Sequence, residues 1–305
     1  MFIVRRTIAA GGGTAISGWT CTVGTGATAI PFGTARHSTS GGDSSFSGSG
    51  ITTLTASGGL SGSHASSDTF QGGNSGASGL DDLGGAGFQS TRTMGGGGAG
   101  AYRDNVSNNA EGADASFSTG GGGGSPFETD IWKHRDSGGS TIVWLSEKRY
   151  YGGGGGGGAN AGSAGTGGMA ATIGGTSSNG GGPNLSDPPG AVIANGGHGG
   201  GGMRPGIALS QFSTYPDQVA NAAGSDGVIV VRYKTSDASG MTVSGGTTEQ
   251  QLVYSGGDQA NYTFHTFTST GTFSIQADSS VSLNVRVLVV GAGGGGGAGG
   301  GGGGQ

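Results

Sequence analysis

The stretch "VRVLVVGAGGGGGAGG", residues 285–300, passes from a typical strand composition directly into polyglycine. Its first six residues are rich in β-branched side chains, which favour a β-strand. The glycines that follow have no side chains to bury, and fixing each backbone residue costs about 1–2 kcal/mol. If this segment is ordered, its peptide groups rather than its side chains must stabilise it.

The rest of the chain has the same unusual composition. Glycine accounts for 78 of the 305 residues, while 31% of the residues are apolar and 10% are charged. An ordinary soluble domain is roughly 45–50% apolar with glycine counted and about 25% charged, so a conventional core is not expected over most of the length. Disorder is the alternative, but it usually goes with high net charge and few aromatic residues. Here the net charge is −5, and there are 11 Phe, 7 Tyr and 3 Trp residues.

Strand signals, meaning runs of β-branched and aromatic residues with partial alternation, are strongest in four segments. These segments are 227–235, 251–255, 261–276 and 280–290. In the third, alternation places Tyr262 and Phe264 on one face and His265 and Phe267 on the other, before a turn at 269–271. The pattern predicts an aromatic hairpin there.

Glycine runs recur between the segments that carry side chains, at 95–98, 120–124, 152–158, 180–182, 199–202 and 293–304. Glycine can adopt an extended helix with three residues per turn and a rise of about 3.1 Å, in which every N–H and C=O points outwards. Several such helices can pack side by side and bond to one another. No segment has a capped helical stripe. We therefore predict an all-β, helix-poor fold in which short antiparallel strands and hairpins combine with packed polyglycine II-like extended helices.

The sequence gives no support for catalysis or for cofactor binding. Gly291, Gly293 and Gly296 match the G-x-G-x-x-G dinucleotide pattern after a strand, but neither a helix nor an acidic residue follows them. The five histidines are dispersed, and none has a partner at metal-ligand spacing. There is no nucleophile elbow and no pairing of a nucleophile with a base. We expect no enzyme activity, no catalytic residue, no cofactor and no metal.

Charge and hydropathy exclude further classes of partner. The sequence pI is about 5.4 and the basic residues are scattered, which disfavours nucleic acid. No run of about 18 apolar residues is present, so membrane insertion is not expected. The N-terminal "MFIVRRTIAAGGG" lacks the apolar stretch of a secretory signal. The single cysteine, Cys21, cannot form an internal disulfide, and we interpret it as a small buried hydrophobic residue.

The segment 127–151 concentrates aromatic and basic side chains in a second predicted hairpin around "DSGG" (136–139). Such side chains suit stacking on sugars, binding of anionic glycans or a protein hot spot. The alternative is that the rings cover the glycine slab as its core. The candidate contact residues are Trp132, Lys133, Arg135, Trp144, Lys148, Arg149, Tyr150 and Tyr151, with Tyr102 and Arg103 after another glycine run as a subsidiary pair.

Three motifs resemble the glycine-rich domain of bacteriophage tail fibres and receptor-recognising adhesins. "YTFHTFTSTGTFSI…VRVLVVGAGGGGGAGG" is similar to the opening of that domain, "NAAGSDGVIVVRYKT" (221–235) to its close, and "TVGTGA" with "GGDSSFSGSG" to its middle. The resemblance implies sandwiches of polyglycine helices with host-contacting loops between them. It also implies a structural virion protein, located in the tail fibre or outside the cell. The implied partners are further copies of the chain or other fibre proteins, and a host surface glycan or outer-membrane protein.

The motifs do not follow the order of that family. Residues 1–235 are similar to a unit without its aromatic opening, 236–260 to a linker and the first strand of a second unit, and 261–305 to part of that unit. Either the sequence is truncated or its end packs independently, or the C-terminal segment of one subunit completes the N-terminal unit of the next by strand exchange. The residues predicted to take part in the exchange are Tyr262, Phe264, Phe267, Phe273, Val287 and Val289.

Two other functions remain open at the level of sequence. One is a subunit of an extracellular glycine-rich filament, assembled head to tail by exchange of the C-terminal segment. The other is an ice-binding or surface-binding glycine-helix protein. That function requires a regular G-x-x repeat, and the irregular spacing here disfavours it.

Overall fold

The computed structural model describes residues 2–10, 16–28, 39–62, 127–128, 131–135, 142–144, 150–152, 155, 195–201, 222–255 and 258–296. Over these residues the chain is all-β and helix-poor, as the sequence predicts, and its one helix is a single 3-10 element at Thr235–Ala238. No helix in this part of the chain has the length and hydropathy needed to cross a membrane.

Fourteen strands account for most of the described residues. They are β1 (Phe2–Ala10), β2 (Ile16–Thr22), β3 (Ser44–Gly48), β4 (Leu54–Ala56), β5 (Phe127–Glu128), β6 (Lys133–Arg135), β7 (Ile142–Trp144), β8 (Tyr150–Tyr151), β9 (Val228–Lys234), β10 (Met241–Ser244), β11 (Thr247–Ser255), β12 (Asp258–Phe267), β13 (Gly271–Ala277) and β14 (Val281–Val290).

Ten of these strands form two antiparallel sheets of five strands each. The first sheet has the order β1-β14-β9-β12-β11 and the second the order β10-β13-β2-β3-β4. The short strands pair separately, β5 with β8 and β6 with β7. The β6–β7 pair confirms the hairpin that the sequence predicts around 136–139.

A hydrophobic core fills the space between the two sheets. Trp19, Phe46 and Phe273 are fully buried in it, and the ring centroids of Trp19 and Phe46 lie 6.1 and 6.5 Å from that of Phe273. Aliphatic side chains of β9 and β14 face the same space. Although the chain as a whole has few apolar residues, many of those described lie between the two sheets.

The outer face of the first sheet is covered as well. Val230, Phe264 and Leu288 on this face are fully buried beneath Ile131 and Trp132. β9 is therefore buried on both faces over nearly its whole length, and β14 is buried on both faces over its last four residues, 287–290. Burial on both faces explains why 228–231 and 287–290 are continuous apolar runs, whereas the first half of β14 alternates.

The aromatic segment 261–276 does not form the hairpin predicted from sequence. β12 pairs with β9 and β11 in the first sheet, whereas β13 pairs with β2 and β10 in the second. Residues 268–270 cross from one sheet to the other. Phe267 before the crossing and Phe273 after it both enter the core between the sheets. The alternation of apolar and polar residues is therefore compatible with a crossing between sheets as well as with a hairpin.

The C-terminal strands are integrated with strands from residues 1–235. β14 lies between β1 and β9, and β13 lies between β10 and β2. The linker region contributes β10 to one sheet and β11 to the other. Among the described residues, 1–235, 236–260 and 261–296 therefore share the same two sheets, and the C-terminal segment is not packed independently.

Candidate functional site

Residues 291–296, which directly follow β14, form the centre of a bundle of extended segments, and we call them the central run. Five neighbouring segments exchange backbone hydrogen bonds with this run. The neighbours are 24–28, 39–42, 57–62, 197–201 and 222–227. We call the six segments together the glycine bundle.

Residues of the central run that are three apart bond to the same neighbour. The bonds run from Ala292 N to Gly42 O and Gly295 N to Thr39 O, from Gly293 N to Ser225 O and Gly296 N to Ala222 O, and from Gly59 N to Ala292 O and Gly62 N to Gly295 O. Their donor–acceptor distances lie between 2.8 and 3.1 Å. Successive peptide groups therefore point to different sides of the run, and the pattern returns to the same side after three residues.

The segments approach one another closely because glycine places no Cβ between them. A Cβ built on Gly224, Gly293 or Gly296 would lie closer than 3.0 Å to a carbonyl oxygen of a neighbouring segment, which real Cβ atoms essentially never do. The same is true of Gly24, Gly26, Gly41, Gly58, Gly200, Gly291 and Gly294. Each of these Cα atoms faces a carbonyl oxygen, the geometry of a weak Cα–H···O contact.

The hydrogen bonds and close approaches give each segment a direction. Segments 24–28, 57–62 and 197–201 run parallel to the central run, whereas 39–42 and 222–227 run antiparallel to it. At one end of the bundle, which we call the sheet end, residues 24, 42, 57, 227 and 291 lie within two residues of strands β2, β3, β4, β9 and β14. The opposite, distal end carries residues 28, 39, 62, 201, 222 and 296.

The described part of each bundle segment has one terminus at the distal end. Residues 28, 62, 201 and 296 are the last described residues of their segments, and residues 39 and 222 are the first of theirs. Residue 195, the first described residue before segment 197–201, is close to the sheet end. The stretches 29–38, 63–126, 202–221 and 297–305, which adjoin these residues in sequence, lie outside the described residues.

Two of the aromatic residues predicted to contact a partner are buried within the chain's own structure. The ring of Trp132 is 0% exposed and stacks on Phe264 with centroids 4.3 Å apart and planes 10° apart. Its Nε1–H donates to the Tyr151 hydroxyl at 3.2 Å, and Tyr151 is 5% exposed. These two rings pack in a core, but they cover the outer face of the first sheet rather than the glycine slab that the sequence analysis gave as the alternative.

For the other predicted contact residues, the structure does not describe the side chains. The backbones of Lys133, Arg135, Trp144 and Tyr150 belong to β6, β7 and β8, but their side chains lie outside the description. The residues Tyr102, Arg103, Lys148 and Arg149 lie outside the described residues altogether. Partner contact by these eight residues stays a prediction.

Sequence reasoning missed Arg232, which joins the covering segment to the first sheet. Its guanidinium is buried, donates from Nη1 to the carbonyl oxygen of Ile131 at 2.6 Å, and lies 3.9 Å above the ring of Tyr262. The cation–π contact and the charge-assisted bond stabilise a buried charge that would otherwise be costly. An arginine inside the apolar run "VIVVRYK" is the signal that could have identified it, because such a residue needs specific partners.

His265 connects three elements inside the core. Its Nδ1 lies 2.7 Å from the carbonyl oxygen of Gly245, which can only accept, so Nδ1 carries the hydrogen. Nε2 then accepts from the Tyr233 hydroxyl at 3.1 Å. Burial lowers the pKa of His265 below its ordinary value and raises the pKa of Tyr233. Burial likewise raises the pKa of Cys21 to about 12, so its thiol stays protonated at neutral pH, as expected for a small buried hydrophobic residue.

The residues predicted for subunit exchange pack within one chain. Phe264 lies under Trp132, Tyr262 lies under Arg232, and the remaining four, Phe267, Phe273, Val287 and Val289, belong to the core between the sheets. A second copy could offer the same partners to these side chains. Exchange between subunits therefore stays a prediction.

In the described part of the chain, no group of three or more His, Cys, Asp or Glu side chains could hold a metal ion. Comparisons with protein-family models, with curated proteins and with solved structures find no match for this chain. The resemblance to tail-fibre domains accordingly remains an interpretation of the three motifs.

Proposed function

We propose that this chain is a structural, non-enzymatic component of a phage tail fibre or fibre tip. In this proposal a rigid glycine-rich scaffold presents loops to the host surface. The observation that carries it is the bonding of the central run to five neighbours with a repeat of three residues. A helix with three residues per turn turns its amide to the same side at every third residue, so this repeat supports polyglycine II-like helices in the bundle.

The bundle has the bonding that a stiff body needs. Each backbone hydrogen bond contributes about 0.5–1.5 kcal/mol net, and each segment of the bundle makes several. The central run is buried along its whole described length. Stiffness of this kind comes from peptide groups, so the sequences between the segments can vary without weakening the scaffold.

The directions of the segments support a display role. The described part of each of the six segments has one terminus at the distal end, at residues 28, 39, 62, 201, 222 and 296. Sequences attached there share one end of a rigid body, the position from which binding loops commonly act. The sheets occupy the other end.

Binding of the purified, fluorescently labelled protein to a panel of bacterial strains tests this proposal. We expect binding to some strains, and loss of that binding when residues 202–221 are replaced by a Gly-Ser linker of equal length. The matched control replaces 278–280, at the end of the sheets remote from the bundle, and should bind normally. Both variants should keep the wild-type melting temperature. Equal binding by both variants, or no binding to any strain, would contradict a display role.

A head-to-tail filament is a second candidate, favoured by one observation. β14 and β13 occupy interior positions in the two sheets, so a C-terminal segment supplied by another copy could complete both sheets at once. Light scattering of the purified protein at increasing concentration tests this candidate. Open-ended growth in mass, with fibres in electron micrographs, would favour the filament over the fibre tip.

A further inference from the structure

The edges of the two sheets differ in how well they are protected against pairing with another chain. Among the described residues, the edge strands are β10 and β4 in the second sheet and β1 and β11 in the first. β10 has four residues and β4 has three, and short edge strands offer little to a pairing partner. β1 and β11 have nine residues each. The first sheet therefore ends in a long strand on both sides.

Neither long edge strand carries the features that commonly prevent strand addition. β1 pairs with β14, and β11 with β12, residue for residue over their whole lengths, so no bulge interrupts either edge. Neither strand contains proline or lysine. Thr7 and Ala9 on β1, and Thr247, Thr248 and Gln250 on β11, are exposed. Both edges are therefore accessible over part of their length.

The pairings across the first sheet place its two edges at the same height. One row of paired residues runs through Arg5, Arg286, Arg232, Phe264 and Glu249. Extended along both strands, this register matches residues 3–10 of β1 with residues 247–254 of β11. All four neighbouring pairs are antiparallel, so β1 and β11 run in the same direction. A second copy placed beside the first would bring β1 against β11 as a parallel pair with matched ends.

The charges at the two edges are of opposite sign. β1 has two basic residues, Arg5 and Arg6, and no acidic one, whereas Glu249 is the only charged residue of β11. Residues opposite each other on neighbouring strands interact, and opposite charges stabilise a pair while like charges weaken it. Pairing β1 with β1, or β11 with β11, offers no opposite charges. Pairing β11 with β1 does, and it does so within one row.

We propose that copies of this chain associate head to tail through these two edges, with β11 of one copy adding to β1 of the next. The first sheet then continues from copy to copy. Neighbouring strands lie about 4.7–4.9 Å apart, so Glu249 is within reach of a charge-assisted hydrogen bond from Arg5 of the next copy. Because the two contacting edges differ, the contact is heterologous and can repeat, which builds a ring or a filament.

This contact differs from exchange of the C-terminal segment. In strand addition each copy keeps every strand of its own two sheets, so copies can separate without unfolding. Exchange instead requires β13 and β14 to leave the interior of both sheets. Strand addition also depends on neither the glycine bundle nor a host ligand. Failure of the proposed display function would therefore leave this contact intact, and the reverse also holds.

Charge reversal at the two edges, followed by sedimentation velocity of the full chain, tests the proposal. We expect the wild-type protein to associate as its concentration rises. Glu249→Arg and Arg5→Glu should each weaken association by about tenfold, because like charges then meet at the contact. Mixing the two variants without denaturation should restore association, since each offers the charge that the other lacks.

Two variants with the same changes of charge elsewhere provide matched controls. Asp278→Arg and Lys234→Glu alter exposed residues outside the two edge strands and should associate like the wild type. Circular dichroism should show that all four variants keep the wild-type fold. Added salt provides a readout that needs no variant, because raising the NaCl concentration from about 0.05 to 0.5 M should weaken association of the wild-type protein.

Three results would overturn the proposal. One is a wild-type protein that stays monomeric up to about 1 mM, the limit of a weak contact. Another is unchanged association of Glu249→Arg and Arg5→Glu, together with indifference to salt. The third is a mixture of the two variants that recovers association only after unfolding and refolding, because exchange of the C-terminal segment would then join the copies.

Discussion

At the scale of single residues, the imidazole of His265 shows how a polar group can organise an apolar core. It bonds to the carbonyl of Gly245 and to the hydroxyl of Tyr233, and its ring meets the edge of Phe273 with centroids 5.2 Å apart. Gly245 and Gly246 both have positive φ and lead from β10 in one sheet to β11 in the other. The neutral histidine therefore holds this crossover against the core.

The pH dependence of stability should report on His265. Its pKa is lowered in the folded state, so the unfolded chain binds more protons as pH falls below about 6.5. The stability that the neutral ring contributes is fully present above that pH and is lost as pH falls through the folded pKa. In His265→Asn the side-chain amide can still donate to Gly245, but this loss should disappear. Urea unfolding at pH 8, 6.5 and 5 measures both proteins, and equal pH slopes would contradict the assignment.

The glycines of the bundle should tolerate alanine poorly. Gly293→Ala places a Cβ against the carbonyl of His198, and relief requires two backbones to separate. Overpacking of this kind costs about 1–3 kcal/mol or more. The control is Gly271→Ala, whose Cβ would make ordinary contacts with the ring of Phe267. Urea unfolding of both variants should show a clear loss of stability for Gly293→Ala alone. A similar free energy of unfolding for the two variants would mean that the bundle is not closely packed.

At the scale of elements, the short segment around Trp132 is part of the structural core although it lies far from the main strands in sequence. It is fixed from two sides, by the stack of Trp132 on Phe264 and by the bond from Arg232 to Ile131. The hairpin that starts at β6 directly follows these residues. A rigid attachment of this kind would position whatever the hairpin presents.

Truncation of Trp132 should therefore destabilise the fold. Trp132→Ala should cost about 3–5 kcal/mol, as for other buried aromatic residues. Trp132→Phe keeps a ring on Phe264 but loses the bond to Tyr151, so its cost should be much smaller. Ile16→Ala, at a side chain that is 65% exposed, is a control expected to change stability by less than about 0.5 kcal/mol. Chemical denaturation measures all three variants. A neutral Trp132→Ala would show that the covering segment is not coupled to the sheets.

At the scale of the whole molecule, the order of the motifs along the chain does not match their order in space. The strand β9 closes one motif and lies between β14 and β12, which belong to the opening of the other. The two ends of the resemblance thus meet in one sheet. Residues 1–255 alone, or 256–305 alone, would therefore lack the neighbouring strands with which their own strands pair.

Fragments divided at 255 and 256 should accordingly fold only together. Residues 1–255 alone lack the interior strands β12, β13 and β14, and 256–305 alone lack every partner of those strands. Mixing the two fragments should restore the circular dichroism and the elution volume of the intact chain. Cooperative unfolding of 1–255 by itself would show that the N-terminal part is an independent unit.

The sequence could predict the parts of this fold whose signals are local. β9 and the second half of β14 are apolar on both faces, and the faces of β12 follow from its alternation. The corner after Phe267 could not be predicted, because a three-residue link suits a hairpin and a crossing equally. β1 and β3 were missed because an arginine pair interrupts one and serines dominate the other. Both pair with strands that are distant in sequence, with Arg5 opposite Arg286 and Phe46 opposite Cys21. For the candidate site, the glycine content predicted that extended segments pack together. It could not predict which segments are neighbours, because runs of identical residues carry no information that distinguishes one partner from another.

The attachment of the bundle segments to strands at the sheet end has a consequence for how the molecule can change in length. A polyglycine segment alone could slide along its neighbours by one turn at little cost, because every turn is the same. The strands pair in only one register, because their side chains fit the core in only one alignment. They therefore fix the position of each attached segment along the bundle. Inserting three residues at the distal end of every segment would therefore extend the body by about 9 Å and leave the sheets untouched. The length of the bundle could thus change in steps of three residues without any change in the sheets.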